Sequence, residues 1–309
     1  MFDEDMSGSE ADMSSLLRSP AGHQLVRTDS ELVCRGTGRR YPIIDGNARI
    51  YDAEDVPERL RAESAAFDFG RVPDSLVPDV SNESERAYAT AKRLNTEFMF
   101  GCLRYAGISN RVVLELGAWR CELISRFADQ GARAFAHDFF HGMVDAAAKK
   151  HRGLPFHRLS SPMAVLPFQD ESVDLLFMHA TLHHALPRNE IDFEWCNPEN
   201  MLDAVREIAR VLKPDGAFFL LGEGIYPEGL AREDRPYEKA AQAGQSCYES
   251  WYTLSEYEHI FKVAGRFPTV MSSSTGSELE LWCYEGGKRR DLLKVGDLVR
   301  SKHFSNDSR

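Results

Sequence analysis

The stretch that decides the fold is Arg111-Val-Val-Leu-Glu-Leu-Gly-Ala-Trp-Arg-Cys121. Its apolar run continues up to Gly117 with hardly a polar interruption, as in a strand buried on both faces. The glycine lets the chain turn sharply into a helix-like segment that runs to Gln130. A second strand, Ala132-Arg-Ala-Phe-Ala136, ends at His137-Asp138. Working outward, Pro155–Leu159, Val173–Met178 and Ala217–Leu221 read as the third, fourth and fifth strands, with a helix from Glu199 to Leu212 before the last. Alternating strands and helices imply an α/β fold, a parallel sheet with helices on both faces. Two late strands, near Pro268–Met271 and Glu278–Tyr284, close the sheet. Thr253-Leu-Ser-Glu256 and Ser255-Glu-Tyr-Glu258 both offer capping boxes for a helix ending at Gly265. Upstream, Ala87, Tyr88, Ala91, Leu94, Phe98 and Cys102 recur at spacings of three and four, the stripe of an amphipathic helix.

Before that domain the periodicity differs. Residues 1–15, rich in Asp, Glu, Ser and Met, read as a disordered leader. Residues 16–52 read as a small β-rich module: short apolar runs at Gln24–Val26, Glu31–Cys34 and Tyr41–Ile44 are broken by Gly36, Gly38 and the tight-turn pair Asp45-Gly46. It is too short to bury a core alone, so it must lean on something or once held a metal. Residues 53–83 read as a linker, 84–286 as the main domain, and 287–309 as a basic tail. Within the main domain, the segments near 187–198 and 225–252 are long connections on the ligand side of the sheet, where lids are found.

At 309 residues, with 43% of them hydrophobic, the chain can fill about two domain cores. Lys and Arg number 37 against 48 Asp and Glu, a net charge of −11, which argues against nucleic acid as partner. No stretch approaches the apolar length of a membrane span, and the acidic N-terminus is unlike a signal peptide, so the expectation is a cytoplasmic protein without a membrane partner. The six cysteines are scattered and form no C-x-x-C pair, so they read as free thiols. Homo-oligomerisation is left open.

Ligands of open α/β sheets bind at the carboxyl ends of the strands. Glu115 precedes Gly117 by two residues and Asp138 closes the second strand, an arrangement able to hydrogen-bond ribose hydroxyls. His183 and His184, after strand four, could take a proton from a hydroxyl or amine, and Glu223, after strand five, could position an amine. The i, i+4 pair His179 and His183 has Ala180 where a metalloprotease helix would carry Glu, so no metal is expected there.

The succession Val112-Val-Leu-Glu-Leu-Gly117, Asp138, Leu166-Pro-Phe-Gln-Asp-Glu-Ser-Val-Asp174-Leu-Leu, Leu182-His-His184 and Arg206-Glu-Ile-Ala-Arg-Val-Leu-Lys-Pro-Asp-Gly216 resembles the class I S-adenosylmethionine-dependent methyltransferases. The resemblance covers roughly residues 84–285. It implies a Rossmann-like seven-stranded sheet with a reversed final hairpin, and S-adenosyl-L-methionine as cofactor across the tips of strands one, two and four. It further implies cofactor contacts from Glu115, Gly117, Ala118, Asp138, Phe139, Ser161, Met163 and His179, and catalytic roles for His183, His184 and Glu223. With the negative net charge, the expected reaction is methyl transfer to an oxygen or nitrogen of a small molecule, and a Trm112-like attachment, to which Leu17–Gly46 bears a resemblance, implies tailoring of secondary metabolites, quinones or sugars.

Two departures stand out. The family carries G-x-G-x-G after strand one, whereas positions 119 and 121 are Trp and Cys, which keeps open a non-catalytic partner or scaffold protein. Ser160-Ser161 also stands where the family often has an adenine-binding Asp. The stretch Leu17–Gly46 resembles the Trm112-like zinc ribbon, but Ser19, Gly22, Cys34 and Thr37 occupy its four thiolate places, so no zinc is expected.

Overall fold

The computed structural model describes residues 13–61, 108–140, 156–235 and 250–264, the backbone of 269–275 and 278–284, and positions 142, 144, 145 and 147. The helix expected over 84–102, most of the 53–83 linker, Gly265 and the basic tail lie outside the described residues.

The main domain is built on β5 (Val112–Leu116), β6 (Arg133–His137), β7 (Phe156–Ser160), β8 (Val173–His179) and β9 (Leu212–Tyr226), all mutually parallel in the order β7-β6-β5-β8-β9. Beyond β9 the sheet reverses: β12 (Glu278–Tyr284) pairs antiparallel with β9, and β11 (Thr269–Thr275) with β12. These seven strands realise the expected sheet and its reversed last hairpin. The period of two along each strand divides the apolar residues between two layers. Val112, Leu114 and Leu116 of β5 face one core, with Val205 and Ile208 of α2 (Leu202–Val211) and Ile260 and Phe261 of α3 (Leu254–Val263). Val113 faces the other, with Leu123, Ile124 and Phe127 of α1 (Glu122–Asp129). Of the two capping boxes, α3 uses the first: the Thr253 side chain accepts from the Glu256 N–H, and the Glu256 carboxylate accepts from the Thr253 N–H.

The N-terminal module is continuous with this sheet. Strands β1 (Leu25–Arg27), β2 (Glu31–Cys34), β3 (Arg40–Ile44) and β4 (Asn47–Arg49) form an antiparallel meander, and β4 then pairs parallel with β7. The β3–β4 turn is Asp45-Gly46, both in the left-handed region (φ 51° and 79°), as a two-residue type I′ hairpin requires. Leu17, Leu25, Leu32, Tyr41 and Ile50 are buried in the same core as α2 and α3, so the module leans on the main domain through apolar burial. At two of the zinc-ribbon positions, the Cys34 thiol donates to Ser19 Oγ at 3.3 Å.

Three boundaries differ from those read in the sequence. Met13, assigned to the leader, is buried, and Leu17 bridges to Phe168, so the ordered module begins earlier than 16. β9 is longer than Ala217–Leu221. Its start bulges, since β8 advances from Val173 to Leu175 while β9 advances from Leu212 to Ala217, and its far end pairs with β10 (Tyr252–Thr253). The helix before β9 begins as a 3-10 turn, Pro198–Met201, capped by the Asn197 side chain, before it becomes α2.

Candidate functional site

Parallel pairing in register aligns the strand ends: Leu116 sits opposite His137 and Met178, His137 opposite Leu159, and His179 opposite Leu221. The residues that follow, Gly117, Asp138, Ser161, Ala180 and Gly222, therefore line one carboxyl edge. The N–H groups of Gly117 and Ala118 both donate to the His137 carbonyl, at 2.9 and 3.0 Å, which ties the loop after β5 to the tip of β6.

That loop keeps a backbone its sequence no longer invites. Gly117, Trp119 and Cys121 have φ of 69°, 42° and 54°, so all three places of the expected glycine pattern are left-handed although two of them carry side chains. Each such non-glycine residue costs about 1–2 kcal/mol. At Gly117 a Cβ would collide with the Thr181 side chain, which packs directly on the loop. Cys121 is buried, and burial pushes its thiol pKa well up, to a neutral, unreactive state. Trp119 is half-buried and belongs to neither core cluster.

The structure divides the expected cofactor residues. Asp138 lies at the site, its Oδ2 accepting from the Trp119 N–H at 3.1 Å and its Oδ1 from the Phe140 N–H at 2.9 Å. Burial pushes its pKa up to about 6. Phe139, next to it, is half-buried with its ring centroid 5.5 Å from that of Tyr51. Gly117 and Ala118 form the loop itself. Glu115, by contrast, is turned to the α1 face, where its Oε2 accepts from the Ile124 N–H at 2.9 Å and satisfies the first turn of that helix. Glu115 thus has that oxygen engaged with the start of α1. Its alternation with Leu114 and Leu116 already carried that signal. Ser161 is likewise spent inside, its hydroxyl 2.8 Å from His137 Nε2 and its Oγ also donating to the Pro162 carbonyl at 3.3 Å. Burial holds His137 down at about 4, so its imidazole is neutral. Met163 packs against the larger core, and His179 is buried with its ring against Gly222.

Glu223 is brought together with the histidine pair named beside it as catalytic candidates. Glu223, fully buried on β9, accepts from the Thr181 and Leu182 N–H groups, each at 2.7 Å, through Oε1, and its Oε2 lies 2.7 Å from His183 Nδ1. Burial alone would raise the Glu223 pKa, but the facing His183 and those two backbone donors hold it below the usual range. The ring N–H at Nδ1 donates to this ionised carboxylate, which leaves the lone pair of a neutral His183 on Nε2. The His184 ring stacks at 4.2 Å from that of His183. Nothing local links two residues forty positions apart, so this pairing had no signature in sequence.

Of the expected lid segments, 187–198 contains the short turn Glu190–Asp192 and the aromatic pair Phe193 and Trp195, 5.4 Å apart. In the second, Trp251 lies against Gly224 and 5.9 Å from Tyr226, while 236–249 lies outside the described residues. Among the described residues no group of three His, Cys, Asp or Glu side chains could hold a metal ion, and no helix is long and apolar enough to cross a membrane.

Residues 114–220 match the family model described as a methyltransferase domain, and residues 11–46 the model described as Trm112p-like protein. The first match thus falls on the sheet from β5 into β9, and the second on the N-terminal module. It is similar to an uncharacterized methyltransferase of Schizosaccharomyces pombe, 36% identical over 110 residues, which are 35% of this chain and 38% of that protein. It is also similar to the uncharacterized methyltransferase YcgJ of Bacillus subtilis, 24% identical over 201 residues, 64% of this chain and 73% of that one. Among solved structures, magnesium protoporphyrin IX methyltransferase from Synechocystis aligns with a TM-score of 0.49 at 15% identity, over 66% of this chain and 88% of that one. The match spans well under half of the yeast relative.

Proposed function

We propose that this chain is an S-adenosyl-L-methionine-dependent methyltransferase acting on an oxygen or nitrogen of a small molecule. The observation that carries the reading is the left-handed backbone at 117, 119 and 121, retained above Asp138 although Trp and Cys have replaced two glycines. Strain of this kind clusters at ligand clamps, which supports the reading of the loop as a cradle. The residues present fit the cofactor: the loop brings backbone close to a ligand, and Asp138 retains lone pairs able to accept from ribose hydroxyls. When bound, S-adenosylmethionine supplies an electrophilic methyl group. Phe139 offers an apolar face beside Asp138. His183 Nε2 accepts the proton of a hydroxyl or amine nucleophile, and Glu223 fixes the tautomer and balances the charge of the imidazolium. Direct transfer otherwise needs only proximity and alignment. A net charge of −11 favours a small acceptor over nucleic acid.

The specific observation that favours the second reading, a non-catalytic partner or scaffold, is the indole of Trp119 in the loop. Calorimetric titration of the full chain with S-adenosylmethionine and S-adenosylhomocysteine decides between them. Binding is expected, weakened by about 1.5–3 kcal/mol in Asp138→Ala, the range for a hydrogen bond to a charged group. Absence of binding by either compound would overturn the enzyme reading.

A further inference from the structure

Residues 50–59 leave the N-terminal module along the edge of the sheet that carries the candidate site. β4 runs parallel to β7 with Arg49 opposite Ser160, and the Ile50 N–H donates to the Ser160 carbonyl at 2.9 Å, so the chain emerges at the carboxyl ends of the strands. Its root is held there, since Arg39 pairs with Asp52 at 2.7 Å and with Glu54 at 3.0 Å. Tyr51 then meets Phe139, beside Asp138. Val56 and Pro57 are buried, yet neither belongs to either core cluster. Pro57 and Arg59 line one small cavity together with Leu186, Pro187 and Phe193, in the connection after β8. There the Arg59 guanidinium carbon stands 4.3 Å from the ring centre of Phe193 and 4.9 Å from that of Trp195.

The sheet order β4-β7-β6-β5-β8 puts four strand spacings, about 19 Å, between the end of β4 and β8. Nine residue steps from Ile50 to Arg59 reach roughly 30 Å when extended, and still about 25 Å with the 3-10 turn Ala53–Asp55 and a helical start at 58, enough for the crossing. A path that begins beside Phe139 and ends beyond β8 passes over the end of β5, where the Gly117–Cys121 loop sits. We infer that residues 50–59 are a strap that roofs the candidate cofactor site, latched by Arg59 on Phe193 and Trp195, and that a ligand enters and leaves by release of this latch. The chain that leaves the N-terminal module thereby reaches the site itself, beyond the part that module plays in the sheet. The inference rests on the cofactor reading above.

The test uses the full-length protein. Stopped-flow tryptophan fluorescence measures association and dissociation of S-adenosylhomocysteine, and hydrogen exchange follows residues 50–59 without ligand. In Arg59→Ala and Phe193→Ala both rate constants are expected to rise by about tenfold, the scale of one cation–π latch, with Arg59→Lys in between. Exchange in 50–59 rises in parallel. Arg40→Ala, which breaks an exposed ion pair with Glu31 on the far side of the same module, leaves both unchanged. Wild-type rates in both latch variants overturn the strap while leaving the cofactor reading intact. A wild-type protein that binds no S-adenosylhomocysteine overturns the cofactor reading and the gating role together. Wild-type exchange in 50–59 of the latch variants overturns the latch in either case.

Discussion

At most helical and loop positions alanine is more stable than glycine by about 0.5–1 kcal/mol, because glycine loses more chain entropy on folding. Positions 119 and 121 should reverse that order. With φ at 42° and 54°, any residue with a Cβ pays about 1–2 kcal/mol for the left-handed region, and glycine pays almost none. Subtracting the entropy cost of glycine leaves Trp119→Gly more stable than Trp119→Ala, and Cys121→Gly more stable than Cys121→Ala, by about 0.5–1 kcal/mol each. The comparison within each pair matters, because both variants lose the same side chain beyond Cβ: the half-buried indole in one case, the buried thiol in the other. Urea denaturation of the four variants, with slopes compared so that only midpoints carry the difference, gives the four free energies. If alanine equals or exceeds glycine at both positions, the loop is not held left-handed in solution. The case that it is still a cofactor cradle then collapses with it.

Glu223→Gln should lower methyl transfer to a hydroxyl or amine acceptor by about 100-fold or more, because an amide facing His183 Nδ1 favours the tautomer that places the proton on Nε2. Steady-state rates with any accepted substrate check it, and a rate within twofold of wild type would exclude His183 as the base. S-adenosylhomocysteine affinity should rise as pH increases through about 6 and level off above. Asp138 in the free protein holds its proton up to that pH, and ribose hydroxyls bind best to its charged form. Calorimetry between pH 5 and 8 should find the slope in wild type and lose it in Asp138→Asn. Leu17→Ala, at a fully buried side chain of the shared core, should cost about 2–5 kcal/mol and shift one cooperative unfolding transition. Two separate transitions would mean that the N-terminal module and the main domain do not share a core.

The sequence by itself determined the elements whose cause is local. A run such as Val112–Leu116 with every residue buried has no other stable home than the middle of a two-sided sheet. Asp45-Gly46 is a turn because both residues tolerate positive φ, and Thr253 with Glu256 caps its helix from within four residues. Even the inward turn of Glu115 was present in the parity of its strand. What only the tertiary structure decided are the contacts between residues far apart in the chain. β4 finds β7 across more than a hundred residues, and this pairing makes one sheet of two expected units. β9 outruns its apolar stretch because the fold lays β12 along Ala217–Gly224 and β10 against its far end, and where those partners would pair is not written in β9 itself. Glu223 meets His183, and Arg59 meets Phe193 and Trp195, only once β8 and β9 lie side by side and the N-terminal segment has crossed the edge. Such pairs cost loop closure rather than local propensity, and a short window of sequence carries no record of where a long loop closes.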